Sequence, residues 1–326
     1  MKETYSRSKS VWQRMNARER KAAMAYGEKY KAFLDTARTE RLAAAEIIRR
    51  AEEKGFKPVY IMKSLKAGDK VYWNQKDKSV ILAVIGKEPV HEGIKIVGSH
   101  IDSPRLDLKA NPVHEQDGIV YFRTHYYGGI KKYQWTCIPL ALIGVVFTKD
   151  GKKVDINIGL KDSDPVFYVS DLLIHMAQDQ MKKTLAEGIT GEQLQAVAGT
   201  HSEEGQTPKD AIMALLKKEY GIEEEDFAAA ELELVPATKS RDVGFDRSLI
   251  ASYGQDDRVC SYANLEAILD AKPGVKTQAA LLTDKEEIGS YGNTGMESSY
   301  FVKFVMKLLA LQGQGSLLDF YETMEN

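Results

Sequence analysis

The chain has 326 residues, 43% hydrophobic and 28% charged, with a formal net charge of -2. That length and balance suit an ordinary globular protein of two domains, or of one domain carrying an insertion, and they supply no bulk attraction to nucleic acid or to an anionic membrane. Only Cys137 and Cys260 are present, so the sequence argues against a disulfide framework and for a reducing cytoplasm.

The N-terminus, Met1-Lys2-Glu3-Thr4, is polar and has no apolar signal region. The longest apolar run, residues 138–147, is broken by Pro139 and Gly144 and is too short to span a bilayer. Residues 10–34 are expected to be helical, with Tyr26, Tyr30, Phe33 and Leu34 as an apolar stripe. A second helix over 36–54 ends at Gly55. Residues 59–62 read as a short strand. Residues 70–73 and 80–85 read as a hairpin around Asn74-Gln75-Lys76-Asp77. A mostly apolar run over 94–97 predicts a buried strand ended by Gly98.

From 106 to 169 the texture is β-rich, with strands expected at 119–127, 140–148 and 154–158. Asp150-Gly151 makes the turn between the last two. A helix is expected from Ser170 toward Leu185, a loop over 188–206, a helix from Pro208 to Gly221, and an alternating strand over 230–235. Residues 108–246 read as an inserted mixed α/β domain. The first texture then resumes: a helix over 259–269 opened by Gln255-Asp256-Asp257-Arg258, a strand over 278–282, and a helix over 296–311. This order predicts an α/β sheet covered by helices and built from residues 1–107 and 247–326.

Three polar clusters fall at element boundaries. His100 and Asp102 follow a strand, Asp256-Asp257 precede a helix, and Glu286-Glu287 follow a strand. In open α/β sheets, ligands bind beyond the carboxyl ends of strands. Imidazole and carboxylate suit zinc, manganese or cobalt, and two adjacent glutamates can divide metal binding from proton transfer. Each cluster also has a plainer explanation: a hydrogen-bonded strand-end histidine, a helix cap, a solvated charge pair. Their shared kind of location favours the metal.

Val97-Gly98-Ser99-His100-Ile101-Asp102-Ser103-Pro104, Asp256-Asp257-Arg258 and Glu286-Glu287-Ile288-Gly289-Ser290 together resemble the M18 metalloaminopeptidases, the aspartyl aminopeptidase and aminopeptidase I group. The resemblance runs over nearly the whole chain and includes Leu232-Glu233-Leu234-Val235-Pro236-Ala237. It implies the fold of a co-catalytic zinc peptidase, with residues 108–246 as an oligomerisation domain, and release of N-terminal amino acids from peptides. It also implies two zinc ions per subunit, with manganese or cobalt as alternatives. His100 would be a terminal metal ligand, Asp102 the carboxylate that orients it, Asp256 the bridging ligand and Glu287 a ligand of the second metal. Glu286 would be the general base acting on a metal-activated water. Asp257 stands where the family often has Asn.

The same resemblance implies a homododecamer whose inserted domain reaches a neighbouring subunit's active site, so His125 or His175 could touch substrate in trans. The family draws a further acidic ligand and a further histidine from sequence after the Glu-Glu segment. Residues 291–326 contain no histidine, and His91, His114, His125, His175 and His201 do not match that position. The expectation is therefore a catalytic domain truncated at its C-terminus, each metal one ligand short. The alternative is an inactive remnant serving only as an assembly or interaction module.

Overall fold

The computed structural model describes residues 9–325. A single turn, α1 (Val11–Arg14), leads into α2 (Ala17–Thr36). Asn16 accepts the Glu19 amide while the Glu19 carboxylate accepts that of Asn16, a reciprocal cap. Helix α3 (Glu40–Glu53) is capped by Thr39. Then come β1 (Lys57–Pro58), β2 (Lys70–Gln75), β3 (Ser79–Val84) and β4 (Ile94–His100).

The middle of the chain supplies β5 (Arg105–Gln116), β6 (Ile119–Tyr127), β7 (Pro139–Phe147), β8 (Lys153–Ile158), β9 (Phe167–Tyr168) and β10 (Ala196–Gly199). Helix α4 (Pro208–Tyr220) and β11 (Ala230–Pro236) complete it. After a small ribbon, β12 (Arg241–Val243) and β13 (Leu249–Ala251), the chain returns with α5 (Gln255–Leu269), β14 (Thr277–Thr283), α6 (Tyr300–Leu311) and α7 (Leu317–Glu325).

The first sheet has the order β1-β2-β3-β14-β4. Successive side chains on a strand point to opposite faces, and β3 is buried on both. Val80, Leu82 and Val84 face a core shared with Phe33, Leu34, Ile47 and Leu265, while Ile81 and Ala83 face Phe304 and Leu308 of α6. The second sheet is antiparallel throughout. β11 pairs with both β5 and β7, so its strands close on themselves around Leu106, Phe122, Leu142 and Leu234. Strand β14 runs parallel to β4 with Thr283 opposite His100, so the two strands end side by side. That adjacency positions the site.

Several local expectations fail for physical reasons. Residues 59–62 are not a strand: Val59–Ile61 form a 3-10 turn after β1. The strand expected to be buried at 94–97 runs on to His100 and, among the described residues, lies at the edge of its sheet, with Ile96 44% and Val97 59% exposed. Asn264 of α5 donates to the Val97 carbonyl. No helix forms from Ser170 to Leu185; the segment is turns and one short 3-10 helix, Gln180–Lys182. Ala177 is buried, but Leu172, Leu173, Ile174, Met176, Met181 and Leu185 are exposed. The stretch expected as a loop over 188–206 contributes β10. Among the described residues, no helix is long and apolar enough to cross a membrane, and both cysteines are free and exposed.

Candidate active site

His100 is the last residue of β4. Its ring Nδ1 lies 3.1 Å from the Asp102 carbonyl oxygen and 3.2 Å from Asp102 Oδ1. Two acceptors on that side require Nδ1 to carry a proton, which leaves Nε2 to face outward. Nε2 stands 3.3 Å from Asp256 Oδ1 and 3.6 Å from Glu286 Oε2. The backbone of His100 is held from the other side, where Ser261 of α5 donates to its carbonyl at 2.7 Å.

Asp102 is wholly buried and receives four contacts. Oδ1 faces His100 Nδ1 and accepts the Glu286 amide at 3.3 Å; Oδ2 accepts the Glu287 amide at 3.2 Å and the Tyr127 hydroxyl at 2.7 Å. One carboxylate thus fixes a histidine from β4 and the turn Glu286–Ile288 that follows β14. Gly128 lets that turn approach: with φ of 73°, it is placed so that a Cβ would lie 3.1 Å from Glu287 Cβ and Oε2.

Asp256 and Asp257 do not cap α5. Their backbone angles are non-helical, the N-cap is Gly254, and no side chain caps the helix there. Asp256 instead points out beside His100 with its side chain 87% exposed, and Asp257 Oδ2 accepts the His100 amide at 3.4 Å.

Burial opposes the charge on the His100 ring, but the Asp102 hydrogen bond and the charges of Asp102, Asp257 and Glu286 outweigh it, pushing its pKa up to about 9. Burial likewise works against the Asp102 carboxylate, yet His100 and Tyr127 hold it below the usual range. Glu287 is shifted upward by burial, eased by His100 and reinforced by the nearby charges of Asp102, Asp256 and Glu286. Asp284, buried beneath the turn, is pushed up to about 7 by burial and by the charge of Glu40.

Two donors bonded to one tetrahedral zinc at about 2.0–2.1 Å lie roughly 3.3 Å apart. The His100 Nε2 to Asp256 Oδ1 separation, 3.3 Å, fits that edge. Among the described residues, no group of three or more His, Cys, Asp or Glu side chains is arranged to hold an ion. The donors present therefore fit part of a coordination sphere.

His100, Asp102, Asp256, Glu286 and Glu287 are brought together. His125 and His175 are not. His125 lies exposed on β6, stacked on Tyr126 with ring centroids 5.5 Å apart, and His175 is exposed in the segment after Ser170. Sequence reasoning missed Tyr127, whose hydroxyl reaches the site from the second sheet. Its signal was weak: it ends an alternating strand, where an aromatic residue is ordinary core material.

Two polar clusters at neighbouring strand ends, joined by one buried carboxylate, make an α/β sheet of the enzyme type with donors suited to a metal. The comparisons narrow this. The family described as aminopeptidase I zinc metalloprotease (M18) matches residues 33–326. A probable M18 family aminopeptidase 1 from Clostridium acetobutylicum is 45% identical over 98% of this chain and 70% of its own length. Its counterpart from Thermotoga maritima is 42% identical over the same shares. The crystal structure of the M18 aminopeptidase from Thermotoga maritima superposes with a TM-score of 0.93, covering 98% of this chain and 70% of that one at 41% identity. Aminopeptidase I from Clostridium acetobutylicum gives 0.88 at 43% identity, covering 97% and 71%. The chain belongs to the M18 family of zinc aminopeptidases, and is a metallopeptidase of the hydrolase class. It spans about 70% of the length of these relatives.

Proposed function

We propose that this chain carries the site that removes N-terminal amino acids from peptides, with His100, Asp256 and Glu287 as its contribution to two bound zinc ions. Manganese or cobalt would suit the same donors. When bound, the metal supplies positive charge that polarises the scissile carbonyl. Glu286, beside His100 and mostly exposed, takes a proton from the attacking water and returns it to the leaving amine. Asp102 holds the His100 ring and the Glu286 and Glu287 amides in one frame. The observation that carries this reading is that single carboxylate, which ties the strand-end histidine to both glutamates.

Residues 1–107 and 247–326 would form the catalytic unit, and residues 108–246 an oligomerisation unit in a cytoplasmic homo-oligomer. The mApe1 dodecamer from S. cerevisiae, 18% identical, shares the fold at a TM-score of 0.66. In such an assembly His175, or His125, would reach a neighbouring subunit's substrate. The exposed apolar side chains between Leu172 and Leu185 support that interface. They also favour a second reading, in which the chain contributes an assembly surface without turnover.

Glu286→Gln separates binding from chemistry. Hydrolysis of an aminoacyl substrate should be abolished while zinc content is retained; undiminished hydrolysis would sink the assignment of the base.

A further inference from the structure

The Asp102 carboxylate takes three of its four contacts from the first-sheet side, namely His100 and the amides of Glu286 and Glu287. The fourth comes from β6. The Tyr127 hydroxyl donates to Oδ2 at 2.7 Å, the shortest of the four. Burial first, then the negative charges of Asp102 and Asp284, hold the phenol protonated, so it serves as a donor.

The ring itself is clamped. The Arg105 guanidinium sits 3.7 Å from the Tyr127 ring centroid, close enough for strong attraction to the π face. Arg105 is buried and held in turn. Its Nε donates to Asp107 Oδ1 at 2.7 Å and lies 3.4 Å from Glu233 Oε1, and Nη1 lies 3.5 Å from Glu40 Oε2. Glu40 begins α3 and Glu233 lies in β11; both are buried. A chain of contacts therefore runs from α3 and the second sheet through a rigid aromatic ring to the carboxylate that orients His100.

We infer that Tyr127, clamped by Arg105, is a positioning residue of the peptidase site, through which the second sheet fixes Asp102 and with it His100 and the Glu286-Glu287 turn. A carboxylate held by His100 and two amides of a short turn could still rock with that turn. The phenol anchors it to a separate, closed sheet. Residues that orient a metal-binding histidine typically change metal affinity by about 10- to 100-fold when removed.

The inference rests on the reading of His100 as a metal ligand, and its test keeps the two apart. Tyr127→Phe deletes the hydroxyl and keeps the ring under Arg105. Tyr126→Phe, on the exposed neighbour, is the control. Amide hydrogen exchange at Glu286 and Glu287 is measured first, on the metal-free 326-residue chain. Tyr127→Phe should accelerate exchange at both amides by about tenfold, the loss of one charge-assisted hydrogen bond, with the β14 amides unchanged. Zinc affinity, measured by competition with a chromophoric chelator, should fall by about tenfold or more. Amides that exchange as in wild type would overturn the inference. So would uniform acceleration through β14, which marks general destabilisation. Faster exchange confined to Glu286 and Glu287, in a wild-type chain that binds no zinc, would support the anchoring of the turn and refute the reading of His100.

Discussion

Asp102→Asn is the sharpest perturbation of the frame that holds the site. Oδ1 faces His100 Nδ1 and the Glu286 amide; Oδ2 faces the Tyr127 hydroxyl and the Glu287 amide. An asparagine side chain of the same shape has one oxygen and one NH2 group. Either orientation points that NH2 at a backbone amide, donor against donor. Each hydrogen bond to a charged acceptor is worth roughly 1.5–3 kcal/mol, and a buried donor left unpaired costs about as much again. The Tyr127 hydroxyl can turn to accept, but an amide cannot, so the expected loss is about 3 kcal/mol or more. That is a large part of the roughly 5–15 kcal/mol by which domains are stable. The assay is urea unfolding of the metal-free protein at neutral pH, reading the midpoint at constant slope. Because the folded protein holds the Asp102 pKa below its ordinary value, its contribution is present above the unfolded pKa and lost as pH falls through the folded one. The gap between wild type and variant should therefore narrow in acid. A loss under about 1 kcal/mol at neutral pH would refute the role of Asp102 as the shared acceptor.

Two further predictions concern pH. The metal-free His100 ring titrates near 9, against an ordinary value of 6.5. Its stabilising contribution is therefore full below the ordinary value and lost as pH rises through about 9, at most roughly 3 kcal/mol. Chelator-treated wild type should lose stability over that interval relative to His100→Asn; parallel curves would count against the Asp102 contact. Asp284 is also raised, to about 7 from 3.8. Its neutral form belongs to the fold, so stability is full below the unfolded pKa and lost as pH rises through about 7. Asp284→Asn should accordingly be more stable than wild type near pH 8, by on the order of 2 kcal/mol, with little difference at low pH. Equal denaturation midpoints at both values would exclude the buried charge.

The three polar clusters were legible because each lies where a strand or helix begins or ends, and such boundaries can be read from apolar runs. Their convergence was not, since nothing local states that Thr283 pairs with His100 across two strands distant in sequence. The strand at 94–97 illustrates the limit. Ile94, Ile96 and Val97 look like core, but burial depends on neighbouring strands, and among the described residues β4 pairs with β14 on one side. Ser170 to Leu185 failed differently: a capping serine and apolar residues suggest a helix, yet among the described residues most of those side chains stay exposed, and helices draw most of their stability from packing. Asp256-Asp257 resembled a cap because cap and ligand use the same side chains at the same end of a helix. The backbone angles and the Gly254 N-cap exclude the cap. Tyr127 carried no signal beyond strand patterning, because its partner is 25 residues away.

The most direct test of the account is the zinc content of the purified chain beside that of His100→Ala, each paired with hydrolysis of an aminoacyl substrate. The account predicts zinc bound to wild type with measurable release of the amino acid, and both lost in His100→Ala while the protein remains folded. Undiminished zinc in His100→Ala would place the metal elsewhere and contradict the site built around His100, Asp102, Asp256 and the two glutamates.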